Sequence, residues 1–271
     1  MPKFALLFDC DGVIVETEEL HRLAYNESFK AFGCTIDGEP VEWSEEYYDV
    51  LQNTVGGGKP KMRWHFTNNG WPDSECGPSP AGDAERDELV DKLQDRKTVA
   101  YKAIVEAVAT ARPGVVRLME ETIARSDVAL GICSAATREG FEKVVNQALG
   151  EERLAKLDTI IAGDDVSVKK PDPMIYNIAR ERLGVPRERC VVIEDSIVGL
   201  RAAVAAGMPC IITPTSANST SAEEFIKEGA VAVVDTLGEG DDAVTAASLF
   251  PAEGSDVPVF STLSEAIATL A

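Results

Sequence analysis

Six short apolar runs recur along this chain, each bounded by turn or polar residues. They are Lys3–Asp9 (KFALLFD), Val128–Cys133 (VALGIC), Asp158–Ala162 (DTIIA), Cys190–Glu194 (CVVIE), Pro209–Thr213 (PCIIT) and Ala230–Val234 (AVAVV). Runs this short and rich in β-branched residues read as buried strands. Helical segments separate them. Gly140–Leu149 follows the second run. Pro173–Leu183 opens on a proline, which suits a first helical turn, and stops at Gly184. Ser196–Ala206 opens on a capping serine and stops at Gly207. This alternation predicts an α/β fold, a doubly wound parallel sheet with helices on both faces.

Residues 17–111 interrupt the alternation. Thr17–Phe32 has Leu20, Leu23, Ala24 and Phe32 on one helical face, and Ala84–Ala111 is a longer amphipathic helix. Between them lie Trp43, a GGGK loop, Trp64, Trp71 and the turn-rich stretch Gly70–Gly82. The pattern predicts a helical domain, 17–111, inserted into an α/β core of 1–16 and 112–271. The three tryptophans are expected in the core of the insert. Val13–Glu16 and Arg112–Gly114 are the expected hinges, closing the insert over a ligand and excluding water. Gly238–Pro258 reads as an acidic surface excursion, and Ser261–Ala271 as a closing apolar helix.

Charge restricts the partners. Asp and Glu number 46 against 26 Lys and Arg, a formal charge of −20. Such a chain is repelled by nucleic acids and anionic membranes. No apolar run approaches the roughly 18–20 residues of a membrane span, and the N-terminal residues lack the pattern of a secretory signal. A soluble protein is expected. Cys10, Cys34, Cys76, Cys133, Cys190 and Cys210 are expected as free thiols, and without a CxxC pair no zinc site is expected.

In such a sheet, ligands bind at the carboxyl ends of the strands. Four strand ends carry polar residues: Asp9-Cys10-Asp11-Gly12, Ser134-Ala135, Gly163-Asp164-Asp165 with Lys169-Lys170-Pro171, and Glu194-Asp195-Ser196. Several carboxylates in one shell call for a hard divalent cation, and Mg²⁺ fits. One aspartate can attack phosphorus, and a second can protonate the leaving oxygen and then activate water. A hydroxyl, amide N–H groups and a lysine can hold the phosphoryl oxygens. The GGGK run is no P-loop, because Pro60 stands where a Ser or Thr is needed.

FDCDGV, ICSAAT, KKPDP and VVIEDSIVGLRAAVAAG, in this order, resemble the four motifs of the haloacid dehalogenase superfamily. The match spans most of residues 1–235 and implies a Rossmann-like core with an α-helical cap. VETEELHR, VGGGKPKMR, NNGWP and AGDDVSVKKPDPMIYNIARERLGV further resemble the CbbY-type sugar-phosphate phosphatases. Plant and algal members of that group are plastid enzymes that dephosphorylate xylulose 1,5-bisphosphate, an inhibitor of Rubisco.

The resemblance implies that Asp9 is the nucleophile and Asp11 the general acid/base. Mg²⁺ would be held by Asp9, the Asp11 backbone carbonyl and Asp195, with Glu194 in support. Ser134, the Ala135 N–H and Lys170 would bind the transferring group, with Lys169 as a rival to Lys170. Glu16, Glu18, His21, Tyr48, Gly58, Lys59, Arg63 and Arg138 are the implied substrate residues. Lys59 with Arg63, or Arg138, would meet a second phosphate. The implied reaction is Mg²⁺-dependent hydrolysis of xylulose 1,5-bisphosphate to xylulose 5-phosphate and phosphate, in the chloroplast stroma or otherwise in the cytoplasm, and a monomer is expected. A phosphomutase of the β-phosphoglucomutase type is the alternative. Dehalogenation is disfavoured, because it has no need of the acid/base at Asp11.

Overall fold

A computed structural model of the chain describes residues 2–215, 220–238, 243–251 and 258. The chain divides into two compact units, Met1–Glu16 with Thr110–Ala271, and Thr17–Ala109. The elements begin with β1 (Phe4–Phe8). Those of the second unit follow: α1 (Thr17–Ala31), β2 (Thr35–Ile36), β3 (Glu39–Pro40), α2 (Glu45–Thr54), α3 (Gly58–Asn69) and α4 (Asp83–Val108). The chain then returns through α5 (Val115–Ile123), β4 (Val128–Cys133), α6 (Arg138–Leu149), α7 (Glu151–Leu154), β5 (Thr159–Ile161) and α8 (Met174–Leu183). The last elements among the described residues are β6 (Cys190–Glu194), α9 (Ile197–Ala205), β7 (Cys210–Ile212), α10 (Ala222–Lys227), β8 (Ala232–Val233) and α11 (Ala246–Leu249).

The first unit is a six-stranded sheet, ordered β5-β4-β1-β6-β7-β8, and every ladder in it is parallel. It is an α/β, Rossmann-like core. Every residue of β1 is buried, as a strand covered on both faces requires. The chain steps outward from β1 through β4 to β5, then resumes on the opposite side with β6, β7 and β8. That reversal opens the crevice at the carboxyl ends of β1, β4 and β6. Two of the expected strands coincide with β4 and β6, and the other four are trimmed at their ends. Thr137 and Ser196 cap the helices after β4 and β6, each side chain accepting from the backbone N–H three residues on. Leu7, Ile161, Tyr176, Val192, Leu200 and Phe225 share one hydrophobic cluster that seats α8, α9 and α10 on the sheet.

In the second unit, Ser28 on α1 donates to the Leu93 carbonyl of α4 at 2.8 Å. Trp43 is fully buried among Tyr25, Phe29 and Tyr48, and Asn26 bonds both its backbone groups. Here the structure corrects the sequence reading. Gly58–Asn69 is a helix, and the GGGK run is the entry to α3 rather than a loop. α4 ends at Val108, short of Ala111. Trp64 is 36% exposed, because α3 buries Met62 and Phe66 and residue 64 falls on the opposite face. α5 was also unforeseen, although its buried Val115, Leu118, Met119 and Thr122 keep helical spacing. Five of the six free cysteines are buried, whereas Cys76 is exposed. The expected helix Ser261–Ala271 lies outside the described residues, as do residues 239–242 and 252–257 of the acidic stretch. Among the described residues, no helix is long and apolar enough to cross a membrane.

Candidate active site

The acids sit where the sheet fixes their backbones. Asp9 directly follows β1, and its N–H donates to the Ile193 carbonyl of β6 at 2.9 Å. Glu194 is the last residue of β6. Carboxylate oxygens of Asp9, Glu194 and Asp195 lie within 4.8 Å of one another. Lys170 stands among them with a side chain only 5% exposed. Its ammonium donates to Asp9 Oδ1, to Glu194 Oε1 at 2.7 Å and to the Cys133 carbonyl at 3.0 Å. The Tyr176 hydroxyl donates to the same Glu194 oxygen. The Ser134 hydroxyl donates to Asp11 Oδ2 at 3.3 Å and accepts from the Ala136 N–H at 3.1 Å. Lys169 points elsewhere, donating to the Ala135 carbonyl at 3.2 Å.

Two glycines make this packing possible. A Cβ on Gly199 would lie 2.0 Å from the Glu194 carboxyl, so only glycine lets α9 seat against that acid. Gly12 has φ +82°, and a Cβ there would lie 2.1 Å from Asp195 Oδ2.

Burial raises the Asp9 carboxyl well above the usual range; Lys170 opposes this, and Glu194, Asp195 and Asp11 add to it. Burial and then Glu194 push Asp195 up to about 7. Burial alone would lower Lys170, but Asp9 and Glu194 hold it above an ordinary lysine. Burial pushes the Cys133 thiol up to about 12 and also raises Cys10, so no thiolate competes as a soft ligand. Several oxygen donors with one ammonium fit a hard divalent cation.

The raised carboxyls have a measurable consequence. Asp195 rises from 3.8 unfolded to about 7 folded, so its contribution to stability is complete below the unfolded value and is lost as pH rises through the folded one. Metal-free protein is therefore expected to be more stable at pH 5.5 than at pH 8, with Mg²⁺ narrowing the gap. Urea denaturation at both pH values, with and without Mg²⁺, checks this.

The remaining sequence candidates disperse. In the first unit, Glu16 pairs with Arg112 at 3.4 Å. Arg138 opens α6, donates from its backbone to Asp164, and pairs its guanidinium with Asp165 and Glu142. In the second unit, Lys59 pairs with Asp91 at 2.8 Å and Arg63 pairs with Asp87, all four side chains being well exposed. Gly58 is the first residue of α3, with Gln94 and Tyr25 close to its Cα. Tyr48 donates to Glu18 at 2.9 Å. His21 stacks on Tyr101 and receives the Lys97 ammonium at 2.9 Å; burial and then Lys97 lower it to about 3.

Sequence reading missed the cations buried in this unit. Lys61 and Lys97 are each 8% exposed. Lys61 donates to the Tyr48 hydroxyl at 3.3 Å and lies 3.9 Å from Glu18, while Lys97 sits over the Tyr25 and Tyr101 rings. Burial lowers both, Lys97 to about 8. Helical phase was the available signal, since Lys61 is adjacent to buried Met62 and Lys97 is four residues from buried Leu93.

Residues 5–207 match the haloacid dehalogenase-like hydrolase family. A haloacid dehalogenase-like hydrolase domain-containing protein of Arabidopsis thaliana is 50% identical over 238 residues, 86% of this chain and 74% of that protein. Protein CbbY of Cereibacter sphaeroides is 37% identical over 236 residues, 87% of this chain and 93% of its own. The crystal structure of a CbbY variant from Rhodobacter sphaeroides in complex with xylulose-(1,5)bisphosphate superposes with a TM-score of 0.62 at 34% identity, covering 88% of this chain and 96% of that one.

Proposed function

This chain belongs to the haloacid dehalogenase-like hydrolases, and from that premise we propose a Mg²⁺-dependent phosphatase that converts xylulose 1,5-bisphosphate to xylulose 5-phosphate and phosphate. The observation that carries the reading is the buried Asp9 carboxylate, gripped by Lys170 beside Glu194 and Asp195. Likeness to the CbbY structure that holds this bisphosphate supports the choice of substrate. On the resemblance set out above, we place the enzyme in the chloroplast stroma, and we propose that it acts as a monomer.

Asp9 attacks the phosphorus, forming an acyl phosphate as the ester P–O bond breaks. Asp11 gives its proton to the leaving oxygen. It then takes a proton from the water that attacks phosphorus, which frees phosphate and restores Asp9. The Ser134 hydroxyl, the Ala135 N–H and the Lys170 ammonium hold the phosphoryl oxygens. Asp9, the Asp11 carbonyl and Asp195 would hold Mg²⁺, which when bound offsets the charge of the phosphoryl oxygens.

For the second phosphate we assign Lys61 and Lys97 in place of Lys59 and Arg63. Both assigned cations are withdrawn from water, whereas Lys59 and Arg63 are spent on surface carboxylates. Lys97→Gln is expected to raise KM for the bisphosphate about tenfold or more, because it removes a desolvated charge partner. KM for a ketose monophosphate should move far less. Steady-state kinetics on the two substrates measure the difference.

The reading is tested by phosphate release from a panel of sugar mono- and bisphosphates. Release is expected fastest from xylulose 1,5-bisphosphate and abolished by a chelator. An isomerised sugar phosphate formed without phosphate release would assign the chain to the phosphomutases instead.

A further inference from the structure

We propose that Arg112, in the return segment Arg112-Pro113-Gly114, is a positioning residue that holds the two acid loops in register. Its side chain is 8% exposed and bonds from several directions. Nη1 donates to the Gly12 carbonyl and to the Thr213 carbonyl at 2.8 Å. Nη2 donates to the carbonyls of Pro214 at 2.9 Å and Asp235 at 3.3 Å. Nε lies 3.4 Å from Glu16, and the Arg112 backbone N–H donates to the Ile14 carbonyl at 2.8 Å. The fork thus grips the loop after β1, the loop after β7 and the loop after β8.

Two of these contacts lead to the acids. Gly12 directly follows Asp11; its carbonyl is held by Arg112, and its Cα faces Asp195 too closely for any side chain. On the other side, Thr213 is held through its carbonyl by Arg112 and donates its N–H to the Glu194 carbonyl at 2.8 Å. One guanidinium therefore bears on the loop of Asp9 and Asp11 through Gly12, and on the loop of Glu194 and Asp195 through Thr213. The gap between those loops is the gap a cation would bridge. A lysine ammonium is a compact donor with three N–H groups, while the planar guanidinium offers five in a fixed fork. Burying a cation is costly, and an array this complete is what offsets that cost.

The inference rests on the reading of these acids as the metal and reaction site, so the test follows metal binding separately from hydrolysis. Arg112→Lys is titrated calorimetrically with Mg²⁺, and kcat, KM and the thermal midpoint are measured alongside. Arg117→Lys is the control, because Arg117 also grips three carbonyls of this unit, those of Leu237, Gly238 and Val244. Arg112→Lys is expected to weaken Mg²⁺ binding about tenfold and to lower kcat about 10- to 100-fold, with KM within about threefold of the parent. Arg117→Lys should lower only the thermal midpoint. Wild-type Mg²⁺ affinity in Arg112→Lys, or an equal loss of affinity in Arg117→Lys, would overturn the proposal. If Arg112→Lys does not fold, Arg112→Gln takes its place, and failure of both to fold would make Arg112 a folding residue instead. Absence of hydrolysis by the parent would defeat the phosphatase reading and leave the metal titration interpretable.

Discussion

Asp9→Asn is expected to lower kcat by about 10⁴-fold or more, because the carboxylamide cannot form the acyl phosphate. The fold should survive. Asn is nearly isosteric, and Lys170 keeps Glu194 and the Cys133 carbonyl as partners. The substitution also removes a carboxyl that its own burial and then the charges of Glu194, Asp195 and Asp11 raise. Metal-free Asp9→Asn should therefore be at least as stable as the parent at pH 8, while binding Mg²⁺ more weakly. Rate assays at saturating Mg²⁺, paired with urea denaturation, separate lost chemistry from lost fold. Turnover within tenfold of the parent would remove Asp9 from the nucleophile role.

Lys170→Met has the opposite effect on stability. It leaves Asp9 and Glu194 buried without their shared ammonium, and both acid side chains are nearly inaccessible, at 7% and 1% exposure. Breaking a buried pair from one side costs about 3–5 kcal/mol. The direction with pH follows from the raised carboxyls. Lys170 lowers the raised Asp9 carboxyl, so without it folded Asp9 binds its proton still more tightly and more stability is lost as pH rises. The deficit should be largest near pH 8 and shrink toward pH 5. Turnover should fall by about 10²–10³-fold, as for loss of one preorganised charge stabiliser. Urea midpoints at the two pH values check the sign, and an equal deficit at both would show that Lys170 does not compensate these acids.

The core was legible because its sequence signals and its physics coincide. A buried parallel strand must be a short apolar run, and the polar residue that ends it falls at the crevice. Asp9, Ser134, Glu194 and Asp195 were therefore placed by strand ends alone. Lys170 and Lys169 were separable only by resemblance; in three dimensions Lys170 meets Asp9 and Glu194, and Lys169 turns to the Ala135 carbonyl.

The insert was harder to read. α3 begins in glycines and carries lysines, so its helical phase was hidden, and with it the difference between buried Lys61 and exposed Lys59 and Arg63. Lys97 falls between Leu93 and Ala100 on the apolar side of an amphipathic helix, so its helical phase was legible but a charged residue type masked its burial. The Arg112-Pro113-Gly114 run marked a hinge, and nothing local showed what the Arg112 side chain binds. Four of its partners are main-chain carbonyls, which carry no sequence information, and most of them are about a hundred residues away.

The most direct test of the account is mass spectrometry of enzyme quenched in acid during turnover of xylulose 1,5-bisphosphate. The account predicts one added phosphoryl group on the peptide bearing Asp9, present in the parent and absent in Asp9→Asn. A phosphoryl group on any other residue, or a parent that turns over with Asp9 unmodified, would contradict it.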